Sequence, residues 1–275
     1  MKMLIVPVLL ALALAACGVT AKLTESQEYY VGRGVSANAL FDSKGEFVGF
    51  HKDEKLEEYV SLVGLTVAME SDRPETFKGY IFGVVASDDI NAFAAPGGFI
   101  FVTTGALRNM ESEDELAGVL SHEIAHVNLR HPEDHANRAA QQSGAMSMLS
   151  TGSHIASGVL SFLGKQDVAS NLATVTQAFG GVLDGFLKEI MVNGYGRDSE
   201  LAADALGVRV LCRTGVKYDP SALKAFISRL PKKERGAWAT HPALEGRLQN
   251  IDEEIKKQGA QAPADPVRTT RFRAA

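Results

Sequence analysis

SEDELAGVLSHEIAHVNLRHP, residues 112–132, carries a helix and a metal-binding signature in the same twenty-one letters. Ser112 followed by Glu115 reads as a capping box, and Glu113, Asp114 and Glu115 put negative charge where a helix N-terminus favours it. Leu116, Leu120, Ile124 and Val127 recur at helical spacing, and Pro132 is expected to stop the helix. His122 and His126 are four residues apart and so project from one face. Two imidazoles so placed can grip one zinc ion. Glu123 falls beside the ion rather than on it, where it can take a proton from the bound water and return it to a leaving amine. The bland alternative is two surface histidines on an ordinary helix, but a chance H-E-x-x-H need not fall on a capped amphipathic one.

A third ligand has to come from elsewhere in the chain. Arg197-Asp198-Ser199-Glu200-Leu201-Ala202-Ala203-Asp204 opens a second helix, expected from about Ser199 to Thr214. Glu200 and Asp204 share a face of it. Glu200 can complete a His-His-Glu site for one zinc per chain. Asp204 can accept the other ring N–H of a ligand, His122 being the expected one, and so fix its tautomer.

These segments together resemble one peptidase family. The resemblance is carried by H-E-I-A-H-V-x-x-R-H, the later Glu200-to-Asp204 pattern, Ile90–Thr103, and Thr240-His241-Pro242 followed by Arg247. The family includes the CAAX prenyl proteases, the HtpX-like membrane proteases, and periplasmic BepA-like or LoiP-like proteases. The resemblance covers roughly residues 55–250 and points to the soluble lipoprotein branch. It implies a gluzincin fold, one zinc and endopeptidase activity.

Two further features are read beside this site. Phe99-Ile100-Phe101-Val102 behind Pro96-Gly97-Gly98 reads as a strand. It is either a plain core strand or one that pairs with an extended substrate, with Asn91, Gly98, Phe99, Ile100 and Phe101 as the contact residues. His241, ahead of Pro242 and expected to cap a helix start, has three readings. It stabilises the oxyanion, approaches the zinc as a fourth ligand that holds the enzyme inactive, or is structural. His131 reads as a cation at a helix end. His51, His135 and His154 show no partner pattern and are expected to be exposed.

Outward from the site, the coarse pattern is α+β: mainly helical, with a small β-sheet. Asp53–Ser71 is amphipathic, Gly79–Ala86 is a short β-rich run turned by Asp88-Asp89, and Ser221–Leu230 is a further helix, with another after His241-Pro242. Residues 133–193 are rich in Ala, Ser and Gly. They read as two or three packed helices or as a flap over the site, and no stretch is apolar for the ~20 residues a membrane span needs. The expected organisation is a signal peptide over 1–16, a lipidated tether over 17–36, a metallopeptidase domain over 37–258 and a disordered tail over 259–275.

The N-terminus supports that organisation. Lys2, the apolar run Met3–Leu14 and Leu14-Ala15-Ala16-Cys17 resemble a bacterial lipobox, with acylation at Cys17; a plain secretory signal is the alternative. Gly18 in place of aspartate implies the outer membrane, with the protein on its periplasmic face. Cys212 then remains the sole other thiol and is expected to act as a small buried hydrophobe. The net charge of −5 carries no basic excess, which argues against a nucleic-acid partner. Arg268, Arg271 and Arg273 read as a solvated basic cluster. The expected function is cleavage of misfolded or unassembled envelope proteins, with the outer-membrane assembly machinery as a possible partner. An assembly factor or chaperone with little proteolysis is the alternative.

Overall fold

The computed structural model describes residues 24–38, 49–142, 194–230, 241, 246–260 and 265–275. Its helices are α1 (Glu25–Asn38), α2 (Glu54–Ala68), α3 (Thr104–Arg108), α4 (Glu113–Asn128), α5 (His131–Gln142), α6 (Arg197–Arg213), α7 (Ala222–Arg229), α8 (Arg247–Gln258) and α9 (Pro266–Ala274). Three strands, β1 (Ile81–Val85), β2 (Ala92–Ala95) and β3 (Phe99–Thr103), form a sheet of order β1-β3-β2. This is an α+β fold, mostly helical with a small sheet. No helix among the described residues is long and apolar enough to cross a membrane.

The helix α4 runs through the centre, buried from Glu113 to Val127. It packs against α2, α6, α7 and the β2 strand. Leu116, Leu120 and Ile124 meet Leu206, Leu211, Leu223 and Phe226 in one core. Gly207 lets α6 come close, because a Cβ there would lie 3.1 Å from Ser121 Oγ and 3.3 Å from the His122 backbone nitrogen. That approach brings the acidic face of α6 up to the histidines of α4.

Local signals explain the helix ends. The Ser112 hydroxyl accepts the Glu115 N–H, while the Glu115 carboxylate reaches back to the Glu111 N–H, one residue before the partner of a regular capping box. Asp53 caps α2 through the N–H groups of Lys55 and Leu56. The helix α4 ends at Asn128 because Arg130 takes a left-handed conformation, φ 62°. Pro132, expected to stop α4, instead lies in the first turn of α5, where its missing N–H costs nothing.

Several expectations change. Residues read as a tether include α1, whose Glu28, Val31 and Val35 are buried. Glu28 pairs with Arg130 and with Arg73, so tertiary contacts override a composition that looked like linker. Residues read as a disordered tail include α9; Arg273 is exposed, as read for a solvated cluster, but Arg268 and Arg271 pair with acids of α4. Arg268 Nε donates to Asp114 Oδ2 at 3.0 Å and Arg271 bonds the Glu113 carboxylate. Arg229 bonds Glu115 with both terminal nitrogens. The three acids that suit the α4 dipole therefore each tie a distant arginine to its first turn. Cys212 is half-buried against the core, as expected of a small hydrophobe. The signal peptide, Cys17, His154 and most of residues 133–193 lie outside the described residues.

The Arg268–Asp114 pair is nearly excluded from solvent, both side chains being 7% exposed. Breaking it from one side leaves a carboxylate without its partner, so Arg268→Met is expected to cost about 3 kcal/mol in denaturant unfolding. Val267→Ser on the exposed face of the same helix is expected to stay within ~0.5 kcal/mol.

Candidate active site

The described residues contain one group able to hold a metal ion: His122, His126, Glu200 and His241, all buried, with ligand atoms within 4.8 Å of one another. The helix α4 supplies His122, Glu123 and His126, and the first turn of α6 supplies Glu200. His241 comes from the segment before α8. The two Nε2 atoms of His122 and His126 are 3.0 Å apart. Glu200 Oε2 lies 3.4 Å from His122 Nε2, and Oε1 lies 3.5 Å from His126 Nε2. His241 Nδ1 is 3.2 Å from His122 Nε2 and 3.0 Å from Glu200 Oε1. Zinc with bonds of about 2.0–2.1 Å sets its tetrahedral donors roughly 3.3 Å apart. The observed separations fit such an ion.

Each histidine is held by its other ring nitrogen. His122 Nδ1 lies 2.9 Å from Asp204 Oδ1. Asp204 is in turn gripped by Arg247, whose Nε and Nη2 donate to Oδ2 and Oδ1 at 2.7 and 2.6 Å. Arg247 Nη1 also lies 3.0 Å from Glu200 Oε2, so one buried guanidinium spans both carboxylates. His126 Nδ1 is 2.8 Å from His131 Nδ1. With Nε2 of His126 turned to an ion, Nδ1–H donates and His131 accepts, fixing the tautomer.

Electrostatics follow from this crowding. Burial pushes the His126 imidazole down to about 3, which keeps it in the neutral form that a ligand needs. Burial works against ionisation of Glu200, but the positive charge of His241 and hydrogen bonds from the ligand histidines hold it well below the usual carboxylate range. His241 is raised to about 10, its burial outweighed by Glu200 and Glu123. Both Glu123 oxygens are buried and lack hydrogen-bond partners, although Oε1 sits 3.1 Å from His241 Nε2.

The comparison with known proteins decides the class. The model of peptidase family M48 matches residues 54–255, most of the chain. The chain belongs to peptidase family M48. M48 peptidases depend on a metal, and the four converging donors are the described residues able to hold one. Among relatives, the putative beta-barrel assembly-enhancing protease of Vibrio cholerae is 28% identical over 211 residues, 74% of this chain and 40% of that protein. The beta-barrel assembly-enhancing protease of Escherichia coli is 28% identical over 202 residues, 71% and 38% respectively. The mitochondrial metalloendopeptidase OMA1 of Bos taurus is 29% identical over 181 residues, 63% and 32%. The chain thus spans about two-fifths or less of these M48 relatives.

The remaining residues read from sequence fall out unevenly. His241 joins the ligand cluster, and the next described helix, α8, has Gly246 rather than His241 at its N-cap. His131 is no helix-end cation: it opens α5, half-buried against His126, and burial lowers it. His135 is buried at 6% exposure rather than solvated. The strand read as a substrate partner is central: β3 pairs with β1 on one side and β2 on the other. Phe99, Ile100 and Phe101 therefore have no open backbone edge for a peptide, and Gly98 lies in the turn before them. Asn91 is buried and its carbonyl accepts the Thr103 N–H. The edge beside the metal donors is β2, a strand not anticipated, because Ala92-Phe93-Ala94-Ala95 is short and small-residue-rich. Arg247 and Tyr195 were also missed as site residues. An arginine six positions after His241 was a usable signal for the first, whereas Tyr195 had none.

Proposed function

We propose that the chain is a zinc endopeptidase acting on unfolded or misassembled envelope polypeptides, anchored by acylated Cys17 to the periplasmic face of the outer membrane after loss of residues 1–16. The observation that carries the enzymatic reading is the mutual spacing of the His122, His126 and Glu200 donors, with the Glu123 carboxylate buried on the neighbouring position of the same helix. The names of the beta-barrel assembly-enhancing relatives support the substrate class, and contact with the assembly machinery is part of the proposal. Zinc, when bound, supplies a Lewis acid and brings a bound water towards a pKa of about 7.

The chain's own groups do the rest. Glu123 accepts a proton at its carboxylate and later delivers one to the departing amine. Asp204, held by Arg247, keeps His122 in the tautomer whose Nε2 is bare. The β2 edge receives an extended peptide backbone in place of the β3 segment first considered. Recognition of backbone there suits unfolded chains of varied sequence.

In the metal-free chain His241 is the charged partner of Glu200 and Glu123; once deprotonated, its Nδ1 is placed to take the fourth corner of the donor set in a resting position. Its Nε2 lies 3.1 Å from the Ala92 carbonyl on that same β2 edge. Substrate then has to displace it. Casein cleavage by the purified zinc-loaded chain tests the function, with loss on chelation and return on adding zinc. Absence of chelator-sensitive cleavage, with binding of unfolded outer-membrane protein retained, would favour the assembly-factor reading. In the same assay His241→Ala is expected to raise the rate several-fold. A fall of about 10²-fold or more would instead assign it to oxyanion stabilisation.

A further inference from the structure

Tyr195 sits where three parts of the site meet. It is 4% exposed, two residues ahead of α6. Its ring lies against the His126 imidazole, centroids 4.1 Å apart and planes 27° off parallel. His135 packs edge-on against it, centroids 5.3 Å apart. Its hydroxyl donates to the Ala94 carbonyl at 2.8 Å.

The sheet register shows what that last bond holds. The Thr103 N–H bonds the Asn91 carbonyl, and Ala92 faces Val102 while Ala94 faces Ile100. In an antiparallel pair, bonded and non-bonded positions alternate. Asn91, Phe93 and Ala95 therefore turn their backbone groups towards β3, and Ala92 and Ala94 turn theirs outward. Those outward groups are the ones a peptide strand would use. Tyr195 grips one of them while its ring covers a metal ligand, so a single rigid side chain sets the distance between the β2 edge and His126.

We propose that Tyr195 is a positioning residue that fixes the substrate-pairing edge relative to the metal donors. It works through two separable contacts: the hydroxyl on Ala94 and the ring on His126. This rests on the zinc endopeptidase reading. With Nε2 of His126 as donor, the ring face holds the imidazole plane, and the hydroxyl holds the strand. An aromatic face over a neutral imidazole restricts its rotation without competing for either nitrogen.

Two variants separate the contacts. Tyr195→Phe keeps the ring and removes the hydroxyl. Expected is one zinc per chain with unchanged affinity in a chelator competition, and a KM for an unfolded polypeptide raised roughly three- to ten-fold, the scale of one neutral hydrogen bond. Its kcat is expected to stay within about two-fold. Tyr195→Leu removes both contacts and is expected to weaken zinc about ten-fold as well, as loss of a ligand's supporting partner does. A Phe variant with wild-type KM, or one that loses zinc as strongly as the Leu variant, overturns the proposal. So does a Leu variant with wild-type zinc affinity. The zinc arm reads without turnover, so a wild type that binds zinc but cleaves nothing would count against the peptidase reading and not against the ring contact.

Discussion

Glu123→Gln is expected to lower cleavage of unfolded protein by about 10²–10⁴-fold, the range that a positioned general base contributes. Metal content and thermal stability are expected to hold. The argument is geometric. Glu123 is fully buried next to the donor His122 on α4, and its carboxylate contact is with His241, 3.1 Å away, rather than with a group that holds the helices together. Glutamine has the same shape and cannot accept the proton as a base. Burial raises the Glu123 carboxyl, but the facing His241 and the two α4 histidines more than offset this and bring it below its ordinary value, so the base form is available near neutral pH. A variant that keeps near-wild-type cleavage would mean that another group takes the proton.

Arg247→Met is expected to be the most damaging substitution outside the ligands. Arg247 is fully buried, bonds Asp204 through two nitrogens and lies 3.0 Å from Glu200. Methionine fills much of the volume but leaves two carboxylates facing one another without their shared cation. Removing one partner of a buried ion pair costs about 3–5 kcal/mol. Urea unfolding of the metal-free protein should show a loss of that size, partly recovered on adding zinc, because an ion supplies the missing positive charge. A loss below ~1 kcal/mol would show that the two acids find other partners.

How much of this was legible in the letters depended on how local each determinant is. The helix α4 carried its own start signal, its own apolar spacing and both histidines, so Ser112–Asn128 could be read nearly to its ends. Glu200 and Asp204 were readable because an i, i+4 pair needs only a helix to share a face. The strand β2 escaped because four residues, three of them alanine, hold their extended form only by pairing with β3, four to ten residues on. The helices α1 and α9 were read as linker and tail because their stability comes from Glu28 with Arg130 and from Arg268 and Arg271 with the α4 acids, partners 102, 154 and 158 positions away. The placing of β3 in the middle of the sheet has the same cause. No pattern within Phe99–Thr103 says which neighbours lie on either side, and the substrate edge moves to β2 as a result. Tyr195 and Arg247 act through residues drawn from three separate segments, a relation no single window contains.

Zinc titration of the purified chain beside its Glu200→Gln and His122→Ala variants tests the central claim most directly. The account predicts one tightly bound zinc per wild-type chain and a large loss of affinity in each variant, with the folded state retained at low temperature. Wild-type affinity in the Glu200→Gln protein, or a wild-type chain that takes up no zinc, would contradict it.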